Sequence, residues 1–202
     1  GFHLRKLYAR LSATKKNAEI NSWFQKAANQ SDGRGAYMIS QSYRGKNEKL
    51  ANEWFERAKG LLKNSAENGD LDATFTLGVI ANIGWEAAPP SPRHDEAIKW
   101  FRVAAEHGHV QALYALSKLY SAGSGVPIDE QIALNYSLQA AKRGHSTAKI
   151  DVANYYYERT AQDELKSAYE WYMRWYQYVD IHDETIFEIK ALGAIYLFRI
   201  GV

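Results

Sequence analysis

Apolar residues recur along this chain at helical spacing, and the helices they predict recur in turn. Between residues 112 and 122 the apolar positions are Ala112, Ala115, Leu116, Leu119 and Tyr120. Steps of three and four residues place them on one helix face. Gly123 and Gly125 predict a stop, because glycine accepts the left-handed backbone of an abrupt turn. Pro127 and Asp129 predict the next start, with Asp129 as its N-cap. A second apolar face follows at Ala133, Tyr136, Ala140 and Ala141, and Gly144 predicts its end. The predicted unit is a pair of antiparallel helices.

The first helix of that unit has a signature: an apolar anchor, a small residue, two open positions, then Tyr. It recurs at Ile39-Ser40 with Tyr43, Leu77-Gly78 with Ala81, Leu116-Ser117 with Tyr120, Val152-Ala153 with Tyr156, and Leu192-Gly193 with Tyr196. Leu4-Arg5 with Tyr8 is a weaker copy. Successive anchors lie 35, 38, 39, 36 and 40 residues apart. Second helices repeat as Trp23-Phe24 with Ala27-Ala28, Trp100-Phe101 with Ala104-Ala105, Tyr136-Ser137 with Ala140-Ala141, and Trp171-Tyr172 with Trp175-Tyr176. Gly69, Gly108 and Gly144 close three of them.

Small residues let two helices approach, and a ring fills the space between neighbouring pairs. One helix pair cannot bury its apolar stripe alone, so the pairs must stack. The predicted fold is all-α: a right-handed α/α superhelix, a solenoid, of about five antiparallel helix pairs plus a terminal helix. The expected units of this single repeat domain, 1–202, are 1–31, 32–69, 70–108, 109–144 and 145–180, with a terminal half-unit at 181–202.

Departures from the repeat mark where packing must change. Arg5 stands at a small position, Ala81 replaces the Tyr, and Trp175-Tyr176 replace a small pair. Trp54-Phe55 and Leu61-Leu62 are two helical turns apart, which predicts one long helix over about 47–68. Pro89, Pro90 and Pro92 mark an inserted loop over Gly84–Arg93, and the turn near Val179–Thr185 is long. Ile200-Gly201-Val202 stands where a sixth unit would turn. The last helix is therefore expected to cap the stack or to continue into a longer array.

The segments Leu119–Asp129, Ala97–His109 and Leu192–Tyr196 resemble Sel-one-like repeats, tetratricopeptide-like α/α repeats common in bacterial proteins. The likeness covers essentially the whole chain and is strongest from about Gly69 to Ala148. It implies a non-catalytic protein-interaction scaffold or adaptor, in a bacterial assembly, envelope or regulatory process. Two other functions follow from the same likeness. Cysteine-rich relatives are credited with binding cell-wall carbohydrate and with weak hydrolase activity; a regulatory or immunity subunit is the third reading.

Composition bears on these choices. The chain has 202 residues, no Cys, 46% hydrophobic and 24% charged residues. Without Cys there is no disulfide framework and no thiolate metal site, which also weakens the link to the cysteine-rich relatives. No apolar stretch reaches the ~18 residues needed to span a membrane. With 25 Lys+Arg against 23 Asp+Glu, the net charge of +2 argues against a dedicated nucleic-acid binder. The charge is uneven: residues 1–68 carry 13 Lys+Arg and 6 Asp+Glu, and residues 69–202 carry 12 and 17. Solvated helix faces account for this, and docking of an acidic partner or membrane surface is the alternative. The chain starts at Gly1, so any signal peptide would precede it. Bacterial cytoplasm and periplasm both remain open, as does the oligomeric state.

Local chemistry is sparse. His107-Gly-His109, with His145 at the matching turn and His94 nearby, would need three or four converging ligands to hold a metal. The pattern is read as polar turn positions, and no metal or cofactor is expected. Gly33-Arg-Gly35 and Gly123-Ser-Gly125 lack the strand and the Lys-Ser/Thr of a phosphate loop and are read as helix stops. Asp163-Glu164 and Asp183-Glu184 are read as helix starts, where the helix dipole favours negative charge. No catalytic residue is expected.

In repeats of this class the first helices line the concave side. The residues two before the anchor are then Tyr37, Phe75, Tyr114, Ile150 and Lys190. Those two after it are Gln41, Val79, Lys118, Asn154 and Ala194, and the next exposed positions include Arg44, Asn82, Ser121 and Tyr157. The expected binding face for a peptide or protein is Tyr37, Gln41, Arg44, Phe75, Val79, Asn82, Tyr114, Lys118, Asn154 and Tyr157. Aromatics there supply contact area at low entropic cost. The competing reading is that the rings fill gaps between repeats.

Overall fold

A computed structural model describes residues 22, 24, 26, 28, 32–84, 92–157, 167–171, 173 and 174. Every regular element among them is helical. The seven continuous helices are α1 (Gly33–Tyr43), α2 (Glu48–Glu67), α3 (Leu71–Ile83), α4 (His94–Glu106), α5 (Val110–Ala122), α6 (Glu130–Lys142) and α7 (Ser146–Tyr157). Ser167–Trp171 are helical as well. The chain divides into two compact units, Gly1–Ala81 and Asn82–Val202.

In the first unit α1 packs against α2. The long helix expected over 47–68 is α2, capped by Asn47, whose Oδ1 accepts from the Leu50 amide at 3.1 Å. Phe55, Ala58 and Leu62 form its buried stripe. Gly33 corrects an expectation. It does not stop a helix but opens α1, and the reason is packing: a Cβ there would sit 2.7 Å from the Leu62 amide nitrogen and 3.1 Å from the Ala58 carbonyl. Only a residue without a side chain lets α1 approach α2 so closely. Arg34, next along, reaches α3 through Asp72 at 2.6 Å.

In the second unit α4, α5, α6 and α7 pack in succession. All four described anchors, Ile39, Leu77, Leu116 and Val152, are buried, as are the small residues Ser40, Gly78, Ser117 and Ala153 beside them. Ser117 Oγ lies 2.6 Å from Ser137 Oγ, so two small buried polar residues join α5 to α6. Phe101, Ala104, Ala140 and Ala141 bury the second-helix faces. Tyr120 stacks on Tyr136 at 5.9 Å and hydrogen-bonds Arg102. Gly123 ends α5 with φ 67°, and Asp129 caps α6 as expected.

A relay joins each second helix to the next first helix. The glycine after the helix, Gly69, Gly108 or Gly144, adopts φ between 88° and 100°, or 85° at Gly108. That left-handed turn aims two amides back at the helix end. Thus Gly108 N donates to the Ala105 carbonyl and His109 N to Ala104; Gly144 N donates to Ala141 and His145 N to Ala140. The side chain of the same second residue then caps the next helix. Asp70 Oδ1 accepts from Ala73 N, His109 Nδ1 from Ala112 N, and His145 Nδ1 from Ala148 N. With Asp32 at the start of α1, each described cap stands seven residues before its anchor.

The weak first copy at Leu4, the inner-face positions Lys190 and Ala194, the 85–91 part of the inserted loop, both acidic pairs, Trp175-Tyr176, the turn at 179–185 and the terminal helix lie outside the described residues.

Candidate functional site

The first-helix face of the second unit is built by α5 and α7. Asp151, on α7, collects two residues of α5. Tyr114 Oη donates to Asp151 Oδ2 at 3.0 Å, and Lys118 Nζ lies 3.4 Å from the same oxygen. Lys118 also lies 5.9 Å from the Tyr114 ring centroid. The ring's other neighbour is His145, stacked at 4.2 Å. Burial, reinforced by the Asp151 charge and its hydrogen bond, pushes the Tyr114 phenol up to about 12. The phenol therefore stays protonated and acts as a donor. Burial also lowers His145 below its usual 6.5, against the opposing pull of Asp151.

Beside this cluster is a cleft of about 250 Å³, lined by Lys118, Ser121, Glu130, Asp151, Asn154 and Tyr155 among others. Gln131 Nε2 donates to Tyr155 Oη at 3.0 Å and helps fix one wall. Lys118 and Asn154 are exposed. Basic, acidic and amide groups thus face one recess, which suits a polar side chain. The structure brings Tyr114, Lys118 and Asn154 together. Tyr157 ends α7, and its side chain lies outside the described residues. Asn82 Oδ1 pairs instead with His94 Nδ1 at 2.9 Å.

In the first unit Tyr37 is only 7% exposed. Gln41 Nε2 donates to its hydroxyl at 2.6 Å. Burial raises the Tyr37 phenol, with Gln41 and Arg44 opposing. Phe75 and Val79 are half-buried. Tyr37 is therefore a packing residue whose hydroxyl is reached by Gln41.

Two features were not singled out from the sequence. Asp151 occupies the position before the anchor, where the other repeats have Met38, Thr76 and Ala115; a carboxylate replacing small or apolar residues was the available signal. The histidines were read as turn positions, and each Nδ1 has a separate local task. His109 and His145 cap helices, His107 Nδ1 donates to the Val103 carbonyl at 2.9 Å, and His94 meets Asn82. Among the described residues no three His, Cys, Asp or Glu side chains gather as a metal site. No helix among them is long and apolar enough to cross a membrane.

Comparison with known proteins agrees with this anatomy. The Sel1 repeat family matches residues 22–32, 35–59, 83–109 and 110–145. Two curated relatives are the chitin synthase regulatory factor 4 of Schizosaccharomyces pombe, 29% identical over 41% of this chain, and the chitin synthase regulator SKT5 of Saccharomyces cerevisiae, 28% identical over 51%. The matches cover 13% and 14% of those proteins, so the chain spans about one-seventh of the length of these curated relatives. Two solved structures are similar. A protective antigen present in uropathogenic Escherichia coli strains, displaying an SLR fold, aligns at TM-score 0.57 and 27% identity over 78% of this chain and 33% of its own. A Sel1 repeat protein from Oxalobacter formigenes aligns at TM-score 0.59 and 24% identity over 88% of this chain and 69% of its own, and shows the fold alone. The α/α pairs, their recurring anchors and the residues matched lead to one conclusion: the chain belongs to the Sel1 repeat family.

Proposed function

We propose that this chain is a non-catalytic adaptor that binds a peptide or protein segment on its first-helix face, the concave side expected of the repeat. Sel1 repeat proteins generally mediate protein–protein interaction. The observation that carries the reading here is the cleft beside Asp151. It offers an exposed ammonium from Lys118, an exposed amide from Asn154 and a carboxylate, in a space fit for one partner side chain. Such a recess gives orientation and specificity, with the larger contact area coming from the surrounding helix faces.

Regulation of a partner enzyme is the second reading, favoured by the two yeast relatives, which are named as regulators of chitin synthase. Both readings use the same surface. The test is affinity capture with the wild-type chain and with Lys118→Glu and Asn154→Ala, followed by mass spectrometry. One protein lost selectively by the variants, with helicity unchanged by circular dichroism, supports the adaptor. Recovery of a small saccharide and no protein overturns it in favour of carbohydrate binding.

A further inference from the structure

The described first helices are capped at one register position, and the capping residue changes along the chain. Asp32 caps α1 and Asp70 caps α3, whereas His109 caps α5 and His145 caps α7. The two classes of side chain differ in when they change charge: carboxylates at about pH 4, imidazole between about pH 5 and 8. The helices with histidine caps are also the two that bring Tyr114, Lys118 and Asp151 together beside the recess.

Each histidine cap depends on an unprotonated Nδ1. Ala112 N donates to His109 Nδ1 at 3.2 Å, and Ala148 N donates to His145 Nδ1 at 3.1 Å. A protonated imidazole has two N–H donors and no acceptor, so it faces the amide with a proton. Amides in the first turn of a helix have no carbonyl one turn back, so only water replaces the cap.

At His145 a second path leads to the recess. The ring stacks on Tyr114, whose Oη shares Asp151 Oδ2 with Lys118 Nζ. The charged and titratable groups around His145 come from three helices: Tyr114 and Lys118 from α5, Asp151 and Lys149 from α7, and Lys142 and Arg143 from the end of α6. The Asp151 charge attracts a proton to the imidazole while burial resists it. An imidazolium there competes with Lys118 and Tyr114 for one carboxylate. At His109 the turn carries Glu106 and His107, and Arg143 reaches it from α6, with Nε 3.9 Å from where a Cβ on Gly108 would sit.

We propose that α5 and α7 carry an acid-operated pair of caps: protonation of His109 and His145 frees the first turns of both helices, draws Asp151 away from Tyr114 and Lys118, and loosens the recess, so that a partner held at neutral pH is released in acid. The change in the recess stands by itself, and the release of a partner rests on the adaptor reading. The helices α1 and α3, with aspartate caps, do not share the response.

Nuclear magnetic resonance of the full chain between about pH 8 and about pH 5 tests it. The variants are His109→Asn with His145→Asn, since asparagine caps without titrating, and His109→Asn alone, which keeps the stack on Tyr114. In the wild type, protection of the Ala112 and Ala148 amides, corrected for the intrinsic effect of pH on exchange, should fall about fivefold, the ratio equivalent to one cap. The fall should share the midpoints of the two histidine rings, and the Asn154 side-chain amide should shift with His145. The Ala73 amide, held by Asp70, should keep its protection. The double variant should show none of these changes, and His109→Asn alone should show them only in α7 and at Asn154. Constant protection at Ala112 and Ala148 while both rings titrate, or an unaltered Asn154 response in the double variant, overturns the proposal. Affinity capture at about pH 7.5 and 5.5 separates its two parts. A partner released in acid by the wild type and retained by the double variant supports the release, and one held equally by the wild type at both values overturns it. Capture of no protein at either value overturns the adaptor reading and the release with it, while the amide signals decide the change in the recess.

Discussion

The Tyr114 ring stacks on the His145 imidazole, with centroids 4.2 Å apart and 26° between the planes. The contact joins two tasks. Tyr114 ties α5 to Asp151 on α7, while His145 caps α7 through Nδ1. The first-helix face and the helix junction therefore share a pair of rings, and a change in either ring reaches both.

His145 makes the junction sensitive to acid. Its Nδ1 accepts the Ala148 amide at 3.1 Å, so it must carry no proton. Burial lowers its folded pKa below 6.5. Between these two pKa values the unfolded chain binds more protons, so stability rises with pH there. The contribution is complete above 6.5 and is lost as pH falls through the lower, folded value. Losing one cap, worth about 1 kcal/mol, corresponds to a melting temperature lower by about 2–4 °C for a chain of this size. Thermal melts across this range check it. His145→Asn, which caps without titrating, should flatten the acid-side slope; an unchanged slope would remove His145 as its source.

Tyr114 separates packing from hydrogen bonding. Tyr114→Phe keeps the stack on His145 and loses the donor to Asp151, at a cost of about 1 kcal/mol. Tyr114→Ala loses both and should cost about 2–3 kcal/mol. Urea denaturation measures both. Partner capture by the folded variants then decides between the two roles of the ring: a stability loss with capture intact means that Tyr114 fills space between repeats and contributes nothing to a groove.

The helix pairs were readable because burial imposes a strict period. Ile39, Leu77, Leu116 and Val152 had to be apolar, and the residues after them small, wherever two helices meet. Asp129 was equally legible, since a short polar side chain before an apolar run is a cap. The cluster around Asp151 was not. Tyr114 and Lys118 lie more than 30 residues from it in sequence, and only the stacking of one helix pair on the next brings them to one oxygen. Gly33 misled for a related reason. A glycine required by a close approach and one required by a left-handed turn read alike until the partner, here Leu62, is in place. The histidine caps fell between these cases, because their seven-residue offset from the anchors was in the sequence but histidine is an uncommon capping residue.

Two glycines in the first unit should respond to alanine with opposite signs. At Gly33 the added methyl meets backbone of α2 at 2.7 Å. Backbone yields less readily than a flexible side chain, so Gly33→Ala should destabilise by about 1–3 kcal/mol. Gly60 lies within α2, is exposed, and has nothing within 4 Å of a built Cβ. Gly60→Ala should stabilise by about 0.5–1 kcal/mol, because alanine loses less backbone entropy in a helix. Equal shifts in denaturation midpoint for the two variants would contradict the close approach of α1 and α2.

The buried pair Ser117 and Ser137 is suited to a double-mutant cycle. Their hydroxyls lie 2.6 Å apart between α5 and α6, and both residues are buried. Ser117→Ala leaves the Ser137 hydroxyl without that partner, at about 1–2 kcal/mol. Part of this cost is recoverable, since a helical serine can turn its hydroxyl to a carbonyl one turn back. Ser117→Ala with Ser137→Ala removes both polar groups and preserves the small volumes that let the helices touch. The double variant should therefore cost less than the two single variants together, with a coupling of about 0.5–1.5 kcal/mol. Ser117→Leu should do worse than all of these, because the added bulk forces α5 away from α6 whatever becomes of the hydrogen bond. Strict additivity in the cycle would show that the two serines are there for their size alone.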